Sequence, residues 1–343
     1  MLAPGEAAPE FELPGVDGRK YSLKDFAAAK VLAVLFTCNH CPTAQAYEGR
    51  IKKLVADFRG RGVALVAISP NDSQAVRLDE LGYTDLGDSL EEMKIRAKDA
   101  GFEFPYLYDG DTQAVSRAYG PRATPHVFVF DTERKLRYSG RIDDDESGKK
   151  IKSHDLQDAI EAVLSGKPIA TPATRSFGCS IKWSDKREDN KRFLQKLAAE
   201  KVGLERLDAE KAKSLREKPG KLRLINLWAT WCGPCVAEFP DLVTAFRMYR
   251  HRNFDLVTIS LDKLEKQPDV LDFLKKQEAS CTNYLYGTED RDALAEALHK
   301  EWTGAIPLTL LVKPDGTVAF KQEGKIDPIE LRKAIVAILG RTY

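Results

Sequence analysis

Apolar and polar residues fall along the chain in an order that occurs twice. Val31–Phe36 is an unbroken apolar run, short enough for a strand buried on both faces. Ile51, Leu54, Val55 and Phe58 follow at i, i+3, i+4 and i+7, which is one face of a helix. Val63–Ser69 reads as the next strand and Leu90–Ala100 as a polar helix. His126–Asp131 and Leu136–Gly140 read as strands and Leu156–Leu164 as a closing helix. Asp17 and Gly18 mark a hairpin turn within Phe11–Leu23. The second half repeats this order. Leu222–Trp228 is a strand, and Cys235, Phe239, Leu242, Val243 and Phe246 give a helix face. Leu256–Leu261 is a strand and Val270–Lys276 a helix. Leu308–Val312 is a strand ending at the turn residues Asp315 and Gly316, and Pro328–Leu339 is the last helix.

The repetition predicts an internal duplication, and 343 residues suit two domains, each with its own core. The expected boundaries are 1–170 and 193–343, with 171–192 as a linker. Ser165–Ser176, rich in Pro, Thr, Ala and Gly, carries that expectation. Phe193–Gly203 and Ala209–Lys218 read as Lys/Glu-rich helices with solvated faces.

Charge adds little. A net charge of +1 gives no basic surface for nucleic acid. No apolar stretch approaches the roughly 18–20 residues of a membrane span. Met1–Gly5 lacks the basic start and apolar segment of a signal peptide. Such a start fits a cytosolic protein, or a mature exported domain whose leader is absent from this chain. Six cysteines are too few for a disulfide scaffold.

Four of those cysteines carry the chemistry. Cys38–Cys41 and Cys232–Cys235 are Cys-x-x-Cys pairs, each closing a strand pattern and opening a helical one. Such a turn is expected to place the first cysteine, Cys38 or Cys232, at a helix N-terminus. Free N–H groups and the helix dipole there favour a thiolate. The second cysteine lies one turn on, close enough for a disulfide, so dithiol–disulfide exchange is expected in each half. The two pairs are too far apart in sequence for a zinc ribbon, whose pairs lie within about 15–20 residues. His40 is expected to stabilise the Cys38 thiolate, with a plain turn residue as the alternative. Cys179 and Cys281 read as inert single cysteines, with a mutual disulfide or a resolving role for Cys179 left open. The acidic run Asp143–Glu146 reads as a solvated loop. No metal and no cofactor is expected.

Strand, Cys-x-x-Cys, helix, strand, helix, then a proline before a hairpin resembles the thioredoxin fold. The resemblance implies an α/β protein of two tandem thioredoxin-like domains, each a central mixed β-sheet flanked by helices. The second half is the closer match. Trp228–Cys235 looks like the thioredoxin active site, Pro240 sits where that helix is kinked, and Ile306-Pro307 matches the Ile–cis-Pro pair facing the disulfide. Cys235–Pro240 looks like the TlpA/ResA branch, extracytoplasmic reductases in which a glutamate at the position of Glu238 tunes the cysteines. Thioredoxin's buried aspartate is Asn226 here, which makes Glu238 the candidate base. Trp231 is expected at the contact surface, and Thr124, Pro125, Ile306 and Pro307 along the edge that meets a partner.

The first half resembles peroxiredoxin-like redoxins of the AhpC/TSA superfamily, through Pro9–Gly18 and Cys38–Pro42. True peroxiredoxins hold their reactive cysteine in Pro-x-x-x-Thr-x-x-Cys. Counting from Cys38, those positions are Val31 and Leu35; counting from Cys41, they are Val34 and Cys38. Neither frame supplies the threonine, although Arg122 is a candidate neighbour. The expected function is thiol–disulfide exchange with protein dithiols and disulfides through two sites of different potential, fed by an upstream thiol reductant. The Cys38–Cys41 disulfide is expected to be the stronger oxidant. A thiol peroxidase recycled by its own second half is the runner-up, and a carrier of Cu(I) on Cys38, His40 and Cys41 the third reading. The resemblance to extracytoplasmic reductases favours periplasm or secretion, with the cytoplasm as alternative.

Overall fold

The computed structural model describes residues 1–217, 219–287 and 290–343. The chain divides into two units. The first comprises Met1–Arg77, Leu86–Asn190 and Gly340–Tyr343, the second Leu78–Asp85 and Lys191–Leu339.

The first unit begins with the hairpin β1 (Glu12–Pro14) and β2 (Lys20–Ser22). Next come β3 (Val31–Phe36), α1 (Pro42–Asp57), β4 (Val63–Ser69), α2 (Leu90–Ala100) and β5 (Tyr106–Tyr108). The unit continues with α3 (Ala114–Tyr119), β6 (His126–Phe130), β7 (Leu136–Gly140) and α4 (Asp155–Leu164). The sheet order is β5-β4-β3-β6-β7. β3, β4 and β5 run parallel, while β6 and β7 pair antiparallel. All six residues of β3 are buried, because helices and loops cover both faces of the sheet. Val31, Ala33 and Leu35 face Tyr47, Ile51 and Leu54, whereas Leu32, Val34 and Phe36 face Phe11, Leu107 and Tyr119. That alternation explains why an unbroken apolar run is needed there.

Of residues 171–192, expected as a linker, 171–190 are built into the first unit. Ala173 bridges Ser139, Cys179 bridges Thr124, and Ile181 is buried. Helix α5 (Arg187–Ala198) starts inside this segment, before the expected Phe193. Glu188 and Asp189 in its first turn complement the helix dipole. The acidic run is also less solvated than expected. Asp143 is buried and accepts hydrogen bonds from Tyr47 Oη (2.9 Å) and Arg50 (2.6 Å).

The second unit contains β8 (Glu205–Arg206), α6 (Ala209–Glu217), β9 (Leu222–Trp228), α7 (Gly233–Tyr249), β10 (Phe254–Ser260) and α8 (Gln267–Lys276). It ends with β11 (Thr282–Leu285), α9 (Arg291–Leu298), β12 (Leu308–Val312), β13 (Val318–Glu323) and α10 (Pro328–Leu339). The helix expected to reach Lys218 is described to Glu217, and Lys218 lies outside the described residues. The sheet order is β13-β12-β9-β10-β11-β8. Its first five strands repeat the sheet of the first unit, with β9 in the place of β3 and β12 in the place of β6. Each unit therefore has a central mixed β-sheet flanked by helices, the architecture of the thioredoxin fold.

Candidate functional site

In each unit the central strand runs into the cysteine pair and lies beside the strand that follows a proline. The Thr124–Pro125 and Ile306–Pro307 bonds are both cis. Phe36 pairs with His126, the residue after Pro125, and Leu227 pairs with Leu308, the residue after Pro307. Phe36 and Leu227 are thus equivalent. Counting onward in sequence, Cys41 corresponds to Cys232, His40 to Trp231, Cys38 to Ala229, and Ala44 to Cys235. The two Cys-x-x-Cys pairs are offset by one helical turn.

The helix starts agree with this register. Cys232 is the N-cap of α7, and its Sγ accepts a hydrogen bond from Cys235 N–H at 3.3 Å. In the first unit Cys41 is the N-cap of α1, and its Sγ accepts from Ala44 N–H at 3.3 Å. The expectation that Cys38 caps the first helix is corrected: Cys38 lies in the loop before it. Pro42 supplies the reason. A residue before proline is driven to extended backbone, and Cys41 sits at φ −73°, ψ 116°, so the helix opens after it. In the second unit the residue before Pro234 is Gly233. It lacks the Cβ that makes helical backbone costly there, so α7 opens with Gly233, directly after Cys232.

The second centre is a disulfide between Cys232 and Cys235. Ile306 O lies 3.7 Å from Cys232 Sγ. Trp231 is 62% exposed beside it. Trp228 is fully buried against Phe239 and Phe273, ring centroids 4.9 and 4.8 Å away. Glu238, from α7, is also fully buried. Its carboxylate accepts from Asn226 Nδ2 (3.0 Å) and Ile326 N–H (2.8 Å), and Asn226 Nδ2 also donates to Thr309 Oγ1. Burial pushes the Glu238 carboxyl above the usual carboxylate range, against those two donors. The helix thus delivers a carboxyl to the side chain that stands in thioredoxin's aspartate position.

In the first centre Cys38 and Cys41 are free thiols, 3% and 0% exposed. Thr124 O lies 3.2 Å from Cys41 Sγ and can take its proton in the thiol form. Thr124 Oγ1 lies 3.3 Å from Cys38 Sγ. Pro125 lines a small pocket with Cys38, Tyr47 and Tyr106. His40 Nδ1 bonds Asp88 Oδ2 at 2.5 Å, with both side chains buried. Asp88 also accepts from Asn39 N–H (2.9 Å), His40 N–H (3.1 Å) and Asn71 Nδ2 (2.7 Å).

These contacts set the charges. Burial opposes charge on His40, but Asp88 overcomes this and holds the imidazole above its ordinary value. Burial alone would raise Asp88, and the His40 charge and the donors bring it below its ordinary value. Cys38 is pushed well up by burial, by its hydrogen bond with Cys41 and by the Asp88 charge. For Cys41 burial also raises, yet hydrogen bonds from Cys179 and Cys38, the His40 charge and Ala44 N–H carry it well below the ordinary thiol. Of the two thiols, Cys41, at the helix N-cap with the Ala44 N–H on its sulfur, is the more acidic in direction, where the sequence pointed to Cys38.

Cys38, His40 and Asp88 present donor atoms within 4.8 Å of one another, the one such cluster of three or more among the described residues. Cys281 donates to Asn283 Oδ1 at 3.3 Å, and burial pushes its thiol up to about 12. Cys179, partly exposed, lies against Cys38 and Cys41. Arg122 is exposed, its backbone N–H donating to His126 Nδ1. Sequence reasoning missed Asp88, Asn71 and the placement of Cys179. No spacing rule links residues so far apart in sequence, but counting from the proline-paired strands would have found Cys41.

A thioredoxin fold carrying buried, helix-capping cysteines with a thiol or disulfide partner defines an oxidoreductase of the thiol–disulfide class. The chain belongs to the AhpC/TSA family, whose model matches residues 4–139 and 197–321. It is similar to the thiol-disulfide oxidoreductase ResA of Oceanobacillus iheyensis, 29% identical over 146 residues, 42% of this chain and 72% of the relative. A Mycobacterium tuberculosis protein named as a peroxiredoxin is 24% identical over 144 residues, 42% of this chain and 80% of its own length. Among solved structures, the hypothetical protein SMc02350 of Sinorhizobium meliloti 1021 is 37% identical with a TM-score of 0.48, covering 54% of this chain and 96% of that chain. Among the described residues, no helix is long and apolar enough to cross a membrane.

Proposed function

We propose that the protein exchanges two electrons at a time with protein dithiols and disulfides through two centres of unlike potential, with Cys41 and Cys232 as the attacking sulfurs. The observation that carries this reading is their shared place. Each caps its helix, accepts an N–H bond at 3.3 Å and lies beside the carbonyl before the cis-proline. Cys41 or Cys232 attacks a partner disulfide as thiolate, and a second cysteine then displaces the partner. Cys235 is that second cysteine in the second unit, and Cys38 is its in-motif counterpart in the first. Glu238, buried on the same helix with its carboxyl raised by burial, is the proton acceptor for the second pair. Trp231, Ile306 and Pro307 form its partner contact; Thr124 and Pro125 take the equivalent places in the first unit, where they are buried and Thr124 is paired with Cys179.

The His40–Asp88 pair makes the first centre the stronger oxidant. A centre whose thiolate is stabilised holds its disulfide less firmly, and Trp231, the counterpart of His40, carries no charge. Electrons then run from Cys232/Cys235 to the first centre. The resemblance to extracytoplasmic reductases supports a periplasmic or secreted setting, with the cytoplasm as alternative. An upstream thiol reductant completes the cycle.

The test is insulin reduction together with glutathione titration of each centre in the full chain, the other centre being silenced by Cys→Ser. Two unlike midpoints, the first higher, are expected; equal midpoints refute the relay. Rapid peroxide consumption would instead support the thiol peroxidase, for which Cys38 occupies the threonine position relative to Cys41. Stoichiometric copper would support the metal carrier.

A further inference from the structure

The chemistry above leaves Cys179 without a task, yet the fold holds it with care. Thr124 N–H donates to Cys179 O at 3.0 Å and Cys179 N–H donates to Thr124 O at 3.1 Å, an antiparallel bridge on the edge expected to meet a partner. Gly178 makes the approach possible: a Cβ there would sit 2.0 Å from Thr124 O, and its φ of +138° suits only glycine. Phe177 anchors one side against Tyr47, ring centroids 6.2 Å apart. On the other side Lys182 N–H donates to Asn71 Oδ1 (2.9 Å), and Lys182 O accepts from Asp72 N–H (2.9 Å) and Gln113 Nε2 (2.9 Å). The Cys179 side chain packs against Cys38, Cys41 and Ala44 and hydrogen-bonds the Cys41 sulfur. In the second unit no bridge is made at Ile306 among the described residues.

We propose that Phe177–Ser180 is a substrate strand supplied by the chain itself, and that Cys179 is the third redox cysteine of the first unit, passing the disulfide between the buried Cys38/Cys41 pair and partners in solution. This rests on Cys41 as the attacking sulfur. Accessibility favours it: Cys38 and Cys41 are almost fully buried, while Cys179 is partly exposed. From the Cys38–Cys41 disulfide, the Cys179 thiolate attacks Cys41 Sγ. The Cys41–Cys179 bond forms, the Cys38–Cys41 bond breaks, and Cys38 leaves and takes up the proton that Cys179 lost; no net electrons move. A thiolate of a partner dithiol then attacks Cys179 Sγ and expels Cys41, the best leaving group of the three because its thiolate is the most stable. The partner's second thiolate closes the partner disulfide and releases Cys179. The partner loses two electrons and the three-cysteine centre gains them.

The test uses the full chain carrying Cys232→Ser and Cys235→Ser, so that only the first unit reports. After mild oxidation with diamide, alkylation and non-reducing peptide mapping, Cys38→Ser should yield a Cys41–Cys179 link. Cys179→Ser should still form the Cys38–Cys41 disulfide, but its reduction by dithiothreitol should slow at least about tenfold, because the accessible sulfur is gone. Gly178→Val keeps every thiol, lifts the strand from Thr124 and should slow reduction to a similar degree. Absence of the Cys41–Cys179 link, or unchanged rates in both Cys179→Ser and Gly178→Val, overturns the proposal. Full dithiothreitol-driven turnover in Cys41→Ser would overturn the underlying assignment of the attacking sulfur instead.

Discussion

The two centres share a fold and a register but divide the same task differently. At the helix N-cap both place a cysteine, Cys41 or Cys232. One residue earlier stands His40 in the first unit and Trp231 in the second, a buried imidazole bonded to a carboxylate against an exposed aromatic ring. An aspartate receives the loop backbone in both: Asp88 accepts from Asn39 N–H, and Asp262 accepts from Thr230 N–H at 2.9 Å. Asp262 spends its remaining capacity on the Thr230 and Ser260 hydroxyls, whereas Asp88 spends it on His40 and Asn71. One centre thus has a charged interior and an edge filled by its own chain; the other has an open edge and a neutral rim. The difference teaches that a Cys-x-x-Cys motif does not by itself say which sulfur attacks. The helix start says it.

The sharpest way to break this comparison is to exchange sulfurs for oxygens. Cys41→Ser and Cys232→Ser should each abolish exchange in their own unit. Cys235→Ser should trap mixed disulfides on non-reducing gels, since attack survives and resolution does not. Cys38→Ser should trap far less, because Cys179 remains as a resolving thiol. Equal trapping by Cys38→Ser and Cys235→Ser would erase the asymmetry.

Glu238→Gln should slow turnover of the second centre by tens-fold, below the roughly 10²–10⁴ range of general acid–base effects because the attacking thiolate needs no base. The unit should stay folded, since the unpartnered Asn226 Oδ1 can turn to meet the new amide. Unchanged kinetics across the pH range would remove Glu238 from the mechanism.

Replacing both charges, His40→Ala with Asp88→Asn, leaves no lone buried ion and should lower the potential of the first centre. A charge-assisted bond of about 1.5–3 kcal/mol corresponds to some tens of millivolts for a two-electron couple. Glutathione titration measures it, and an unmoved midpoint would end the role given to the ion pair.

A pH series sharpens the same point. The folded Cys41 thiol ionises below its ordinary value of 9.0, so thiolate absorbance of the reduced protein should persist below that pH and vanish in Cys41→Ser. The matching stability term is full above the unfolded value and is lost as pH falls through the folded one. His40 acts in the opposite sense: raised above 6.5, its contribution is full below that value and fades as pH rises through the folded one. Denaturation midpoints of wild type and variants across pH read both signs. The smallest effect is expected for Trp231→Ala, a several-fold rise in KM for a protein partner with kcat kept, since an exposed ring contributes contact rather than chemistry.

Much of the fold was legible in the order of residues. β3, β4, β7, β9 and β12 fall at the expected bounds because short apolar or alternating runs bounded by turn residues favour strands, and α2 and α10 because their length and composition favour helices. Strands as short as β5 and β11 carry too few residues for a period, and α3 is a helix of only six. The linker expectation failed for a related reason. Pro, Thr and Gly mark irregular backbone, but irregular backbone still docks where a neighbour offers hydrogen bonds, as Thr124, Asn71 and Gln113 do here.

By itself the sequence determined two repeats, two cysteine pairs, two distal prolines and a glutamate three residues after the second pair, because strand, helix and turn preferences act over a few residues. Which sulfur ionises was decided by tertiary structure. That answer needed Asp88, Asn71 and Cys179 brought to Cys41 and His40 from distant parts of the chain, and burial to make their charges and hydrogen bonds count.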